Sequence, residues 1–354
     1  MKAQIYKKIE PELLKEWTKL WQESPAATHV NSPNWFLSVI DGLKYKEYII
    51  IAVYDRKKLV GIASLVEEKM YGLKIYTVVP NSFVCGVPFL FDTTKTKITK
   101  TLINKLVSLG AVYLDNIPES FKDILANIFP ANRTTLSSIN YYMPFTYKND
   151  GKVMIPQRTR MLKGTQDIEE KFNFKCFTKN SIKALETVFL VDDKSRKQDR
   201  GYNTFADEQI VRFYQSLAQH FKGRLEIHIL YFENNPIAYE IGFLVGKIYY
   251  GSQLSFASKY ATYFPGKILL VKLIEELDAK GITTMDMGSG GGMLKSNLTK
   301  ECISLYQIIL SKNIFQSLYI QKIKQARTFA YDQLHSHVKT YTTYRNLKKF
   351  IRLH

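Results

Sequence analysis

Cysteine is scarce in this chain. Cys85, Cys176 and Cys302 are the only three, and none stands in a C-x-x-C pair. An odd, dispersed set argues against a disulfide scaffold or a zinc site and suits a reducing cytoplasm. Histidine is thin as well: His29, His220, His228, His335, His337 and His354 form no H-x-x-x-H or H-E-x-x-H arrangement. No metal is therefore expected. No apolar run approaches a membrane span, and residues 48–54 read as a sheet strand. Residues 1–16 lack the apolar core of a signal peptide. A G-x-S-x-G nucleophile elbow is absent, and Gly288 to Gly292 lacks the Gly-Lys-Ser/Thr of a Walker loop. Serine hydrolysis and nucleotide hydrolysis fall away together. The expectation is a soluble cytoplasmic protein.

Acidic residues are outnumbered: 50 Lys+Arg face 32 Asp+Glu, a formal +18. Such a field attracts phosphates, anionic membrane or nucleic acid; the plainer alternative is a solvated lysine-rich surface. What the chain has in quantity is core material, 45% hydrophobic and 13% aromatic over 354 residues. That suffices for one large domain or two ordinary ones.

The stretch 225–292 is the most informative. Leu225-Glu-Ile-His-Ile-Leu-Tyr-Phe232 reads as a strand ending at the turn cluster Glu233-Asn-Asn-Pro236. A second strand over 237–245 turns at Gly246-Lys247 into a third, Ile248-Tyr-Tyr-Gly-Ser-Gln-Leu254. Gly251 inside it marks a bulge or a close approach. Pro265-Gly266 then breaks the pattern, and a helix runs from about Lys267 with Leu269, Leu270, Leu273, Ile274 and Leu277 on one face. Gly281 stops it, and Thr283-Thr-Met-Asp-Met287 is a short buried strand. A helix opening from a Pro-Gly loop presents unpaired N–H groups, a natural seat for phosphate.

This order resembles the acyl-CoA-binding half of the GNAT acetyltransferase fold. It is closer to the BioF2-like (CelD-type) acetyltransferase domain, a relative of the FemABX peptidyltransferases. Asn235-Pro-Ile-Ala238 is similar to that family's G-x-P-V-A hairpin, and Tyr249-Tyr250 to its third-strand aromatics. Phe264-Pro-Gly266 with Leu269-Leu270 is similar to S-P-G-x-x-L, and Asp286-Met-Gly288 with Lys295 to F-D-x-x-x-G…Y-K. Phe264 stands for the usual serine and Leu294 for the usual tyrosine. The resemblance spans about residues 155–310.

Earlier in the chain the same order recurs. Strands over 48–54, 59–65 and 74–79, a helix over 95–108, Gly110 and a strand over 111–115 echo the later unit. The expected fold is α/β of the α+β type: two tandem GNAT-like domains with mixed, mostly antiparallel sheets flanked by helices. The expected division is 1–150 for structure and substrate, 151–312 for acyl-CoA and catalysis, and 313–354 as a basic helical tail. Residues 11–23 form an amphipathic helix, and the polar segment 132–151 is expected to carry the chain between domains. Cys85-Gly-Val-Pro88 is the first unit's poorer counterpart of the Pro-Gly loop.

The resemblance implies acyl transfer, most simply of acetyl from acetyl-CoA or another acyl-CoA, to an amine or hydroxyl. A small-molecule or glycan acceptor, from a polysaccharide precursor or nucleotide-sugar, is what the family implies. Backbone N–H groups near Gly251 and Ser252 would polarise the thioester. Tyr263, Pro265, Gly266, Lys267 and Ile268 would form the cofactor seat, with the Pro-Gly-Lys turn on the pyrophosphate. Asp286 and Lys295 would order or deprotonate the acceptor. Arg196, with Arg200 and Gly201, loosely matches an R-x-x-x-G pattern facing the cleft. Trp35, Arg160 and Tyr249 are candidate substrate contacts; for Trp35 a core position, and for Arg158 and Arg160 a plain strand edge, are the alternatives. From Ser311 a basic helical tail with Lys312, Lys322, Lys324 and Arg327, closing on Arg345 to Arg352, offers packing or a peripheral contact with anionic membrane or RNA. A FemABX-like transferase using aminoacyl-tRNA and a non-catalytic binding module are the rival readings.

Overall fold

The computed structural model describes residues 1–79, 86–92, 94–129, 132–156, 158–162, 170–179, 181–199, 204–290 and 292–335. Its first helix, α1 (Pro11–Glu23), starts on Pro11 and buries Leu13, Trp17 and Trp21, four apart on one stripe. The indole N–H groups of Trp17 and Trp21 donate to the carbonyls of Asn31 (3.1 Å) and Thr28 (2.8 Å). They pin the loop that carries His29. Ser32 then caps α2 (Pro33–Leu43), its hydroxyl accepting from the Trp35 N–H at 3.1 Å.

The remaining elements of the first half are β1 (Lys2–Tyr6), β2 (Tyr48–Asp55), β3 (Lys58–Met70), β4 (Leu73–Thr77), β5 (Phe89–Phe91), α3 (Thr96–Leu109), β6 (Ala111–Pro118), α4 (Glu119–Ile128) and β7 (Arg133–Pro144). A small hairpin, β8 (Lys148–Asn149) with β9 (Lys152–Val153), and α5 (Arg158–Met161) lead onward. The second half holds β10 (Phe172–Phe177), α6 (Ser181–Asp193), α7 (Arg196–Asp199), α8 (Glu208–His220), β11 (Leu225–Phe232), β12 (Asn235–Val245), β13 (Ile248–Phe256), α9 (Pro265–Ala279), β14 (Thr284–Ser289), α10 (Met293–Leu298), β15 (Cys302–Leu310) and α11 (Ile314–His335). The α/β architecture with a mixed, mostly antiparallel sheet flanked by helices is as expected from the sequence.

Among the described residues, thirteen strands form one sheet in the order β1-β2-β3-β4-β6-β15-β7-β14-β13-β12-β11-β10, with β5 on β3. Each half gives its last strand away: β7 pairs with β14 and β15, and β15 pairs with β6 and β7. The segment 132–151 is therefore no simple linker. Its Thr and Tyr residues are strand formers, and its polar look reflects the exposed faces of β7. The halves also meet where α2 crosses α8; a Cβ on Gly42 would lie 2.6 Å from the Phe213 Cα.

Two pairings are parallel. Ile75, Tyr76 and Thr77 of β4 face Ala111, Val112 and Tyr113 of β6. Ile248, Tyr249 and Tyr250 of β13 face Thr284, Met285 and Asp286 of β14. Each lasts three residues, after which the strands part. The tail helix α11 docks Ile320 against Ile75, Ala111 and Tyr113, over the first of these junctions.

Candidate active site

Beyond Tyr250 and Asp286, β13 and β14 diverge and leave a V. Close approach at its vertex requires glycine: a Cβ on Gly251 would sit 3.1 Å from Glu240 Oε1 and 3.3 Å from the Asp286 carbonyl. Gly288, at φ +72°, lies as near to the Gly251 carbonyl, 3.0 Å from where its Cβ would be. In the next step of β13 the register with β12 skips Ser252, because Gly251 faces Gly242 and Gln253 faces Ile241. A bulged residue is left out of the ladder, so its backbone can serve another partner. The Ser252 hydroxyl pairs with Tyr214 Oη at 2.9 Å, which fixes the bulge from behind.

A cavity of about 390 Å³ fills the V. Gly251 to Leu254 form one wall and Met285 to Ser289 the other; Lys295, Lys197, Glu240 and His29 close it. Asp286 sits at the vertex. Burial pushes its carboxyl up, while the Gly288 N–H (2.8 Å), the Asn140 amide (3.0 Å) and the charge of Lys295 pull it back; the net direction is up. Lys295 donates to the carbonyls of Gly288 (2.9 Å) and Ser289 (3.0 Å), locking the exit of β14. The sequence-predicted quartet Gly251, Ser252, Asp286 and Lys295 thus converges on one cavity.

Other expected residues lie elsewhere. Tyr249 is fully buried and points to the opposite face of β13, where its hydroxyl meets Glu240 and His228. Strand alternation puts its neighbour Tyr250 on the cavity instead. Trp35 is a core residue, edge-on to Phe213 at 5.2 Å and to His29 at 5.3 Å, and it acts by holding His29. Arg196 is exposed on α7, and the next residue, Lys197, reaches the cavity and donates to the Leu254 carbonyl at 3.1 Å. Burial lowers the Lys197 ammonium. Arg160 lies on α5 with its side chain outside the described residues, as are Arg200, Gly201, Cys85 and the tail from residue 336.

The Pro-Gly turn is tighter than expected. Positive φ falls on Phe264 (+50°), and Gly266 is helical. The N–H groups of Lys267 and Ile268 both donate to the Phe264 carbonyl, at 2.8 and 3.3 Å, and Pro265 has none. Of the first-turn donors, only Gly266 N–H has no acceptor among the described residues. Gly266 lies behind the cavity wall, its Cβ position 3.6 Å from Leu254. Tyr263 stacks on Phe232 at 4.9 Å, Lys267 lies over the Phe264 ring at 4.4 Å, and Ile268 is core.

Three further residues line the cavity without a clear signal in the sequence. Glu240 is buried on β12, raised by that burial, and bonded to Tyr249 and His228. A lone carboxylate in an apolar strand was the available signal. His29, held down to about 3 by burial, stacks on Phe243 at 4.7 Å and leaves Nδ1 without a partner among the described residues. Tyr250 was visible only as half of an aromatic pair.

One further cluster has metal-ligand character: atoms of Cys176, Glu226, His228 and Glu276 lie within 4.8 Å of one another. The Lys280 ammonium already occupies it, 2.8 Å from Glu226 and 2.6 Å from Glu276. That cation bridges the two carboxylates.

No curated protein sequence matches the chain. Among solved structures, FemX shares the fold at TM-score 0.63 and 10% identity, covering 89% of this chain and 99% of FemX. The L-PGS from Bacillus licheniformis does so at TM-score 0.55 and 13% identity, over 88% and 94% of the two chains. The tandem GNAT protein from the clavulanic acid biosynthesis pathway gives 0.51 and 8%, over 87% and 98%. Residues 159–295 match the acetyltransferase (GNAT) domain family. That part of the chain is similar to the GNAT acetyltransferase domain, and 89% of the chain shares its fold with FemX.

Proposed function

We propose that the protein transfers an acyl group, most simply acetyl, from a coenzyme A thioester to an amine or hydroxyl in the V between β13 and β14. The observation that carries this is the coincidence at one vertex of a bulged Ser252, a glycine-lined gap and a buried carboxylate, Asp286. The Ser252 backbone would hold the thioester carbonyl and take up the negative charge that grows on it. Asp286, raised by burial, is a stronger base than a solvated carboxylate and stands where the nucleophile must lose its proton. Lys295 acts through position, fixing Gly288 and Ser289 and keeping a cation beside Asp286. Gly266 N–H and Lys267 would meet the pyrophosphate. Holding donor and acceptor together supplies much of the rate, so the scheme needs no metal.

Titration of acetyl-CoA, followed by thiol release in the presence of an acceptor, tests the reading. Binding of acetyl-CoA by wild type and its weakening in Gly251→Val are expected. Absence of binding for every CoA thioester would sink it. A second reading, FemABX-like transfer from aminoacyl-tRNA, is supported by the formal +18 charge and the likeness to the FemX fold. Tighter binding of charged tRNA than of acetyl-CoA at physiological salt would favour it. We also propose a cytoplasmic protein that touches anionic membrane through α11. No helix among the described residues is long and apolar enough to cross a membrane. α11 leaves Phe315 80% exposed beside the exposed Lys312 and Lys322.

A further inference from the structure

A second cavity, of about 280 Å³, shares Tyr250 and Asp286 with the V. Its remaining wall comes largely from the first half and from β15: Val87, Phe89, Phe91, Ile303 and Leu305 among others. These walls are apolar. Two polar atoms in its lining are buried without a partner among the described residues, Asn140 Oδ1 and Thr28 Oγ1. Asn140 itself is 2% exposed, and its Nδ2 is committed to Asp286 Oδ2 at 3.0 Å. An ionised carboxylate only accepts, so the amide orientation is fixed and the orphan is the carbonyl oxygen.

We infer that this cavity is the acceptor pocket, and that it takes a primary amine carried on an aromatic or branched aliphatic body. The inference rests on the thioester reading for the V. Asp286 and Asn140 Oδ1 both ask for hydrogen-bond donors. An amine brings two or three N–H groups and serves both, whereas an alcohol brings one. A sugar would press several hydroxyls against Val87, Phe89, Phe91, Ile303 and Leu305, and each would be left unpaired at a cost. The volume also lies near the lower bound, about 300 Å³, of small-molecule sites, which fits one ring or branched chain rather than a nucleotide-sugar. The glycan acceptor implied by the family resemblance gives way to a small apolar amine.

The reaction then balances simply. The amine nitrogen bonds to the acyl carbon, the C–S bond breaks, and the thiolate leaves with its electron pair. The proton lost from nitrogen passes to Asp286 and from there to the thiolate. An amide and a free thiol result. The first half, on this account, selects the acceptor.

The test is calorimetric titration of 2-phenylethylamine, 2-phenylethanol and glucosamine into the full chain, with acetyl-CoA titrated separately. The amine should bind at least about tenfold more tightly than either competitor, a modest demand on a site whose buried acceptors a poorer donor leaves unpaired. Val87→Phe and Ile303→Phe, which fill the cavity, should each weaken the amine by about tenfold or more and leave the acetyl-CoA titration unchanged. The proposal is overturned if the amine does not bind wild type, if glucosamine or phenylethanol binds as well, or if neither substitution weakens it. The donor reading fails separately, by absent heat with acetyl-CoA while the amine still binds.

Discussion

The two parallel junctions of the sheet are built alike and used differently. At the β13/β14 junction the last paired residue is Asp286, and Gly251 follows on the facing strand. At the β4/β6 junction Tyr113 takes the place of Asp286, and buried Val78 that of Gly251. Tyr113 is buried against Ile75, Ala111 and Ile320 of α11, and Lys324 Nζ lies 4.3 Å from its ring centre. Burial lowers Lys324 to about 8. Nearby Asp115 is also raised by burial, but its oxygens take Ser137 and the Asn116 N–H at 2.8 Å and Tyr113 at 3.1 Å. It is tied into structure, whereas Asp286 borders two cavities. Side-chain volume at two positions separates a junction that packs from one that opens on a cavity.

That contrast can be broken most severely at the carboxylates. Asp286→Asn should lower turnover by about a hundredfold to ten-thousandfold, the scale of a lost general base. Asp115→Asn should leave turnover unchanged, and a comparable fall there would erase the distinction. The stability sign for Asp286 runs the other way from its activity. A carboxyl raised in the fold above its ordinary value of about 3.9 costs stability when ionised, in full above the raised pKa and not at all below the ordinary one. At neutral pH Asp286→Asn should therefore keep or raise the melting temperature, and a large fall would show that the ionised form is structural.

Converting one vertex into the other comes next. Gly251→Val reproduces the first junction and should weaken acetyl-CoA binding by about 1–3 kcal/mol through lost hydrogen bonds to the donor. Gly266→Ala adds a Cβ with only ordinary contacts, 3.6 Å to Leu254 and Phe256, and should bind nearly as wild type. Equal losses in calorimetry would show that donor binding leans on the α9 turn as heavily as on the V.

A smaller effect is expected at Lys295, whose charge draws the Asp286 pKa down. In Lys295→Met the acid limb of the kcat/KM profile should move to higher pH, so that activity fades sooner on acidification. An unmoved limb would detach Lys295 from Asp286. Smallest is the surface of α11. Lys322→Gln should weaken binding to anionic vesicles by about 1 kcal/mol at low ionic strength, with turnover untouched. Full-length protein that ignores such vesicles would end the membrane proposal.

Much of this was readable beforehand. The helix at 11–23, the meander at 225–254, the helix after Pro265 and the Asp286 strand follow from periodicity and turn residues. Gly251 and Asp286 were also legible, because a glycine inside a strand and a carboxylate before Gly288 are local facts. What sequence spacing hides is the facing of side chains across the sheet. Tyr249 and Tyr250 differ by one step and by an entire face. His29 reaches the cavity only because Trp17 and Trp21 anchor its loop from a distant helix. Asn140 sits beside Asp286 through a pairing 146 residues apart in sequence.

The exchange of β7 and β15 bears on how the chain is made. As the polypeptide leaves the ribosome, β7 is finished at residue 144, but both its neighbours lie beyond residue 284. At about 5–20 residues per second it waits on the order of ten seconds with two open edges. A greasy strand in that position would invite association between nascent chains. The Arg-Thr-Thr and Ser-Ser content of β7, which disguises it as a loop on paper, is what lets it wait in water unharmed.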